Sequence, residues 1–563
     1  MIFQSLISLY DRLYETGNVP PYGFSEEDMG FVVTLDKDGA LVGHPEDLRT
    51  KIKTNTYTFY PSIVPYSNQV NVRANAAAKT PNFMVDKADY IFGMAGTSEK
   101  KVHHAYFGKL INDVCGDSHD DGIVAVKAFL QKWQPEDSVK MEGWKDLCGT
   151  HGKWIAFRLQ GDIGFVHERP TVKKLWSKYA AKECYPEGVS FVDGCEHPIQ
   201  SQYAQFKFGS GASLVSFNEK AYESYGKKRG ANAPISVEAE FKSATALKFL
   251  LRSKTQRLRI ADATTVFWTE RESAVETFMG QVLNPFSDGT DAIPVQKFLE
   301  AVRAGKMPSV IENDGDVQFH ILGLSVNKAR LALRFWHVCS VGEMMERLQR
   351  HFKNLEMERN PERDIAFPGI WHLLKETARE TKNISPVLGG SLTRSILTGA
   401  NYPQNLYQGV LGRVRASQNI NYLKASILKA VLQRNHKKEV PMSLDPDKKD
   451  VAYLLGRLFA VLEKAQLDAL GKINATIKNR FFSAASATPA TVFPRLLRLA
   501  QHHIEKAAYG YISDRRIAEI MEHIVTFPKH MGLEDQGLFA IAYYQQKNAL
   551  YKKKNTDDSK GGE

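Results

Sequence analysis

Residues 319–336 read FHILGLSVNKARLALRFW, and they are the last stretch in which strand patterning prevails. FHILGLS (319–325) is short, rich in aromatic and branched residues, and bounded by small polar ones, so it reads as a buried strand. Upstream, ATTVFWTE (263–270) and WIAFRLQG (154–161) read the same way. FVVTLDKDG (31–39) reads as a strand running into a turn at Asp38-Gly39, with a further strand able to follow. Helical patterning intervenes at 236–253 and 290–305. Strands and helices mix without regular alternation, which favours α+β over a doubly wound parallel sheet.

Downstream of the quoted stretch the chain changes character. From Gly342 onward strand signals nearly vanish. Within 448–478, Leu454, Leu455, Leu458, Phe459 and Leu462 fall on one face with Lys and Glu elsewhere, predicting a long amphipathic helix started by Asp445-Pro446-Asp447. PATVFPRLLRLAQHHIEKA, RRIAEIMEHIV and LFAIAYYQQKNALY read as further helices. Short loops between long helices predict an antiparallel bundle. KKKNTDDSKGGE closes the chain as a polar tail. The expectation is therefore a large mixed α/β N-terminal domain over 1–341 and an all-α region over 342–563 that ends in the bundle.

The chain has 563 residues, three or four domain-sized units at about 150 residues each. Hydrophobic residues make up 43% and charged residues 24%, which excludes a disordered or collagen-like chain. Five widely spaced cysteines (Cys115, Cys148, Cys184, Cys195, Cys339) are not a secreted disulfide framework. Ile2, Phe3, Leu6, Ile7, Tyr10, Leu13 and Tyr14 recur at helical spacing, and no basic segment precedes them, so the N-terminus reads as an amphipathic helix rather than a signal peptide. No run approaches a membrane span, and a cytoplasmic location is expected.

The net charge is +11, and +7 of it lies in residues 201–260. There, Gly209, Ser210, Gly211 and Ser213 permit close backbone approach to an oxyanion. Lys227, Lys228 and Arg229 supply positive charge, and Phe217, Tyr222 and Tyr225 supply flat faces. Basic and aromatic residues interleaved on a Gly-rich loop suit a nucleic-acid backbone; a solvated basic helix end with a tight turn suits the same residues. A second segment, NVRANAAAKTPNF (71–83), offers Arg73 and Lys79 to phosphates and Asn71, Asn75 and Asn82 to base edges, or is a small-residue helix or loop with solvated polar groups.

Catalytic motifs are sparse. CGDSHDDG (115–122) holds Asp117, His119, Asp120 and Asp121, a metal-ligand set on paper but a surface turn by composition. Cys184 with Cys195 and His197, or Cys148 with His151, lacks the paired spacing of a zinc site. No Walker loop, Gly-x-Ser-x-Gly elbow or Cys–His dyad is present. No cofactor or metal is expected.

Three phrases, SGASLVSFNEKAYESYGKKRGANAPIS (210–236), the strand phrase of 319–336 and SATPATVFPRLLRLAQHH (486–503), together resemble the large subunit of the type I-C CRISPR surveillance complex, Cascade. The resemblance extends from PNFMVDKADYIFGM (81–94) to the final helices. It implies a non-enzymatic subunit at the end of the complex that holds the 5′ end of the CRISPR RNA. Such a subunit recognises the protospacer-adjacent motif on double-stranded target DNA and helps open it. Its helical bundle lies along the displaced strand, and its surface meets a helicase-nuclease. The implied partners are CRISPR RNA, target DNA and the backbone, RNA-end and small subunits of Cascade, with no membrane. Guide pairing reads the rest of the target, so few base contacts and many backbone contacts are needed. On this reading Asn71, Arg73, Asn75, Lys79 and Asn82 are candidate motif readers. Ser210, Lys227, Lys228 and Arg229 are candidate backbone contacts. Arg394, Arg413, Arg415, Arg457, Arg480, Arg495 and Arg498 are candidates for the displaced strand. The resemblance also implies that an internal start at Met442 produces 442–563 separately as a small subunit. The competing readings are a metal-dependent nucleic-acid-processing enzyme using 115–121, and a helical interaction protein with incidental charge.

Overall fold

A computed structural model describes residues 2–53, 56–66, 80–93, 98–141, 147, 154–182, 185–206, 212–217, 219–260, 263–283, 292–327, 330–471 and 473–552. The chain forms two compact units. The first comprises Met1–Arg252 with Val326–Ala332, and the second Ser253–Ser325 with Leu333–Glu563. The architecture is α+β with a helical C-terminal part.

In the first unit the helix Ile2–Glu15 buries Leu6, Leu9, Tyr10 and Leu13, the i, i+3, i+4, i+7 stripe of its sequence. It packs on the helix Val237–Arg252, where Tyr10 meets the edge of Phe241 at 5.8 Å and Lys242 pairs with Asp11 at 3.0 Å. The strand Phe24–Leu35 pairs in parallel with Trp154–Leu159, Phe31 opposite Ile155 and Leu35 opposite Leu159. Its other neighbours, Glu46–Asp47 and Tyr60–Pro65, are antiparallel. Phe31, Val33 and Leu35 enter one apolar cluster with Phe157, while Met29 and Val32 enter another with Ala156 and Val64. A strand buried on both faces needs a near-continuous apolar run, which FVVTL supplies with only Thr34 half-buried. The expected turn follows: Asp36 accepts from the backbone N–H of Asp38 and Ala40. Gly39 is required there, since its φ is +79° and a Cβ would lie 2.4 Å from the backbone nitrogen of Phe129.

In the second unit Arg257–Ile260, Ala263–Thr269, Gln318–Asn327 and Arg330–Ser340 follow one another in a sheet. The hairpin end Val326–Ala332 belongs to the first unit, where Ser213 pairs in parallel with Arg330. Ser340 ends the last strand and caps the helix Val341–Leu355 in a reciprocal bond with Glu343. Phe267, Phe319, Ile321 and Phe335 share one apolar cluster with Met344 and Leu348 and onward with Leu454, Phe459 and Phe539. That shared core runs across 341: by compactness, Ser253–Ser325 and Leu333–Ser340 group with the helices beyond them, and Arg252/Ser253 divides the two units.

The helix Val451–Leu470 is the centre of the bundle. It starts at Asp450, whose carboxylate accepts from the N–H of Ala452, rather than at Asp445-Pro446-Asp447, and Gly471 at φ +65° ends it short of 478. It is also not amphipathic, because every residue from Ala452 to Glu463 is buried. Phe459 meets the rings of Phe482, Phe493, Phe539 and Tyr543. Among the described residues no helix is long and apolar enough to cross a membrane.

Candidate nucleic-acid interface

Three positive-φ residues shape the basic loop of the first unit. Tyr225 (φ +53°) and Gly226 (φ +70°) form the centre of a tight hairpin closed by Ser224 and Lys227. Two successive positive φ values give a type I′ turn, ordinarily filled by Asn-Gly. Arg229 follows at φ +47°. Asn232 staples the hairpin from within. Its Oδ1 accepts from the N–H of Ser224, and its Nδ2 donates to the carbonyls of Lys227 and Arg229 at 2.9 and 3.0 Å. Gly230 fits against the chain at Gln200, where a Cβ would lie 2.0 Å from the carbonyl oxygen. The Tyr203 hydroxyl donates to the carbonyls of Gly230 and Ala233. Burial, with the Glu240 carboxylate nearby, raises the Tyr203 phenol pKa and keeps it a donor.

The geometry aims charge outward. Lys227, Lys228 and Arg229 are exposed, and none has an acidic partner among the described residues. Tyr225 is 98% exposed at the tip. Arg330 lies 4.0 Å over the ring of Tyr222, adding a cation at the base. The result is a rigid loop presenting three cations and a free aromatic face, which can bind phosphates and stack on a base. The cations were legible in the sequence; the presentation of Tyr225 was not.

The other candidates divide. Asn71, Arg73, Asn75, Lys79 and Ser210 lie outside the described residues. Asn82 has no exposed surface; its backbone N–H donates to Asp86 Oδ2 at 2.8 Å, and neither polar atom of its side-chain amide has a partner among the described residues. Beside it Phe83 stacks on Trp176 at 5.3 Å. The PNF phrase is therefore a buried anchor, and Asn82 in this conformation does not offer its edge to a base. Among the bundle arginines, Arg394, Arg480, Arg495 and Arg498 are exposed, and Arg413 is half-buried. Arg495 lies 5.4 Å over Phe481. Arg415 is bonded to Gln536. Arg457 is buried, donating to the Pro446 carbonyl and to Gln546, so it holds the bundle together rather than tracking a strand. Sequence reasoning missed Tyr509 and Tyr511, 71% and 68% exposed between Lys506 and Arg515. The signal was there in the sequence as Tyr-Gly-Tyr ahead of Arg-Arg.

Asp120 of the acidic run caps the helix Asp121–Lys132, accepting from Gly122 and Ile123, and pairs with Arg169 at 2.8 Å. Its carboxylate is committed to the fold. One group of potential metal ligands occurs among the described residues: Asp193, Cys195 and His197. Cys148, His151 and Cys184 lie outside them.

The model of a family described as CRISPR-associated protein (Cas_Csd1) matches residues 6–551. No curated protein matches the chain.

Proposed function

Because the chain belongs to the Csd1 family of CRISPR-associated proteins, we propose that it is the non-catalytic large subunit of a type I-C Cascade. In this role it recognises the protospacer-adjacent motif on duplex DNA, helps open the duplex, steadies the displaced strand and meets the helicase-nuclease. The observation that carries the nucleic-acid part is the preorganised loop with exposed Lys227, Lys228 and Arg229, without an acidic partner among the described residues, and Tyr225 at its tip. The loop supplies backbone contacts, which position the complex without reading sequence. Motif reading is assigned to Asn71, Arg73, Asn75 and Lys79. Exposed Arg394, Arg480, Arg495 and Arg498, with Tyr509 and Tyr511, suit a single strand that needs phosphate contacts and stacking. We propose further that 442–563 is also made separately as the small subunit.

The test is assembly of the complex with a CRISPR RNA and titration against duplexes with intact and scrambled motifs. K227A/K228A/R229A is expected to weaken both duplexes equally and to flatten the plot of log affinity against log salt by about 0.9 for each phosphate no longer neutralised. Tyr225→Ala is expected to weaken binding without changing that slope. Substitution of Asn71, Arg73, Asn75 or Lys79 should narrow the gap between the two duplexes. An unchanged affinity and slope in the triple variant would make the loop a solvated turn.

A further inference from the structure

The hairpin that pairs Glu187–Val189 with Glu196–Pro198 carries a loop with three different ligand types at its end. Asp193, Cys195 and His197 occupy alternate positions, and their Oδ, Sγ and imidazole nitrogen atoms all lie within 4.8 Å of one another. His197 Nε2 is 2.8 Å from Asp193 Oδ2. The second Asp193 oxygen accepts from the Cys195 N–H at 3.1 Å. Gly194 at φ +76° permits the reversal that brings the three round.

The loop is fixed from below. Ser190 is fully buried and its N–H donates to the Cys195 carbonyl, closing the turn. Val192 packs with Ile235 and Ala239, and its carbonyl accepts from Gln4 Nε2 at 2.8 Å. Both Cys195 and Asp193 remain exposed. The ligand atoms therefore converge on the solvent side of a turn whose core side is locked.

We propose that Asp193, Cys195 and His197 bind a zinc ion, with water in the fourth position. Tetrahedral zinc, at about 2.0–2.3 Å from its ligands, sets them about 3.3–3.8 Å apart. Binding therefore asks the surface side chains to move by about an ångström while the backbone stays. The hydrogen bond between His197 Nε2 and Asp193 Oδ2 is the same ligand pair with a proton where the metal would sit. With zinc on Nε2 the imidazole carries its one remaining proton on Nδ1: a neutral ring moves its Nε2 proton there through solvent, a protonated ring releases the Nε2 proton to solvent, and Cys195 loses its thiol proton to solvent. Thiolate and carboxylate together neutralise the two positive charges. The thiolate selects zinc over magnesium or calcium, which prefer oxygen.

The site has a structural consequence for the basic loop. The Phe191 N–H donates to the Pro234 carbonyl, and Gly230 N–H to Ser201, so the hairpin and the loop 219–234 are tied at their roots. A metal closing 193–197 braces one of those roots.

The test is the metal content of the untagged full chain after incubation with an equimolar amount of zinc and gel filtration. About one zinc per chain is expected, falling at least tenfold in C195S and in H197A and unchanged in the neighbouring E196Q. Cobalt in place of zinc should give a sulfur-to-metal charge-transfer band that C195S abolishes. Zinc retained equally by D193N/C195S/H197A would show that it sits elsewhere and overturn the proposal, as would a wild-type chain that retains none. Failure of DNA binding by the assembled complex bears on the nucleic-acid reading and leaves this measurement standing.

Discussion

Glu240 places a carboxylate where the fold gives it no water. It is 5% exposed, accepts a hydrogen bond from Ala204 N–H at 2.7 Å, and burial pushes its pKa up to about 7 from 4.5. Between those values the native chain holds a proton that the unfolded chain has released. Stability is therefore lost as pH rises across that window and levels off above about 7. His167 and His351 act in the opposite sense. Burial lowers each to about 3, so they lose stability as pH falls below about 6.5. The difference between wild type and Glu240→Gln cancels the histidines. From pH 5 to pH 8 the wild type should lose about 2–3 kcal/mol relative to the variant, at about 1.4 kcal/mol per pKa unit. Denaturant melts at the two pH values check it, and parallel changes in the two proteins would sink the idea. The effect bears on the site because Glu240 holds Ala204 beside Tyr203, whose hydroxyl supports the basic loop. Little of this scale was legible in the sequence. Asn82 and Glu240 look like surface residues, and only the assembled neighbours, Phe83 on Trp176 and the chain at Ala204, show that they are enclosed.

At the scale of elements, local pattern and structure agree where burial is decided along the element itself. The strands at 154–159, 263–269 and 318–327 and the helix 237–252 stand where aromatic, branched and periodic residues put them. They part at the central bundle helix. Arg457 and Glu463 read as a solvent face, yet both are buried. Arg457 meets Gln546 and the Pro446 carbonyl; Glu463 accepts from Thr476 and Lys547. Gln546 and Lys547 lie more than 80 residues along the chain from the charges they meet, so no window of sequence shows that those charges are satisfied. Gly456 has the same origin. A Cβ there would lie 2.2 Å from the backbone oxygen of Phe539 and 2.8 Å from Ala542 Cβ, because the helices Val451–Leu470 and Leu533–Tyr551 touch backbone to backbone. Gly456→Ala gains about 1 kcal/mol of helix propensity. It loses more to a clash with backbone that cannot rotate aside, at the upper end of the about 1–3 kcal/mol typical of overpacking. A net loss of about 1–2 kcal/mol is expected, read as a lower Tm. An unchanged or higher Tm would mean that the crossing is looser than the geometry requires.

Over the whole molecule, the proposed small subunit asks whether the chain divides at Met442. Among the described residues every ring that meets Phe459 lies beyond 442, so the bundle 451–551 carries an aromatic core of its own. Yet its last helix is also held from the other side of the cut. Tyr407 donates to the Leu533 carbonyl at 2.9 Å, Lys438 pairs with Glu534 and Asp535, and Gln545 donates to Pro441. A separate 442–563 product, 122 residues long, would keep the aromatic core and be without Tyr407, Lys438 and Pro441. It should therefore be helical, with a face of its last helix left to be covered by a neighbour in the assembly. The large subunit would keep its own copy of that helix fully packed. Met442 permits a clean test. Its side chain is 51% exposed, and its backbone makes the bond to the chain, accepting from the Glu358 N–H at 2.9 Å. Met442→Leu should leave the large subunit's fold and Tm unchanged while removing any start at that codon. Mass spectrometry of the assembled complex is expected to find a species beginning at Met442 from the natural gene and none from the M442L gene. A short species that persists in the variant, or never appears in the wild type, would place the small subunit's origin elsewhere.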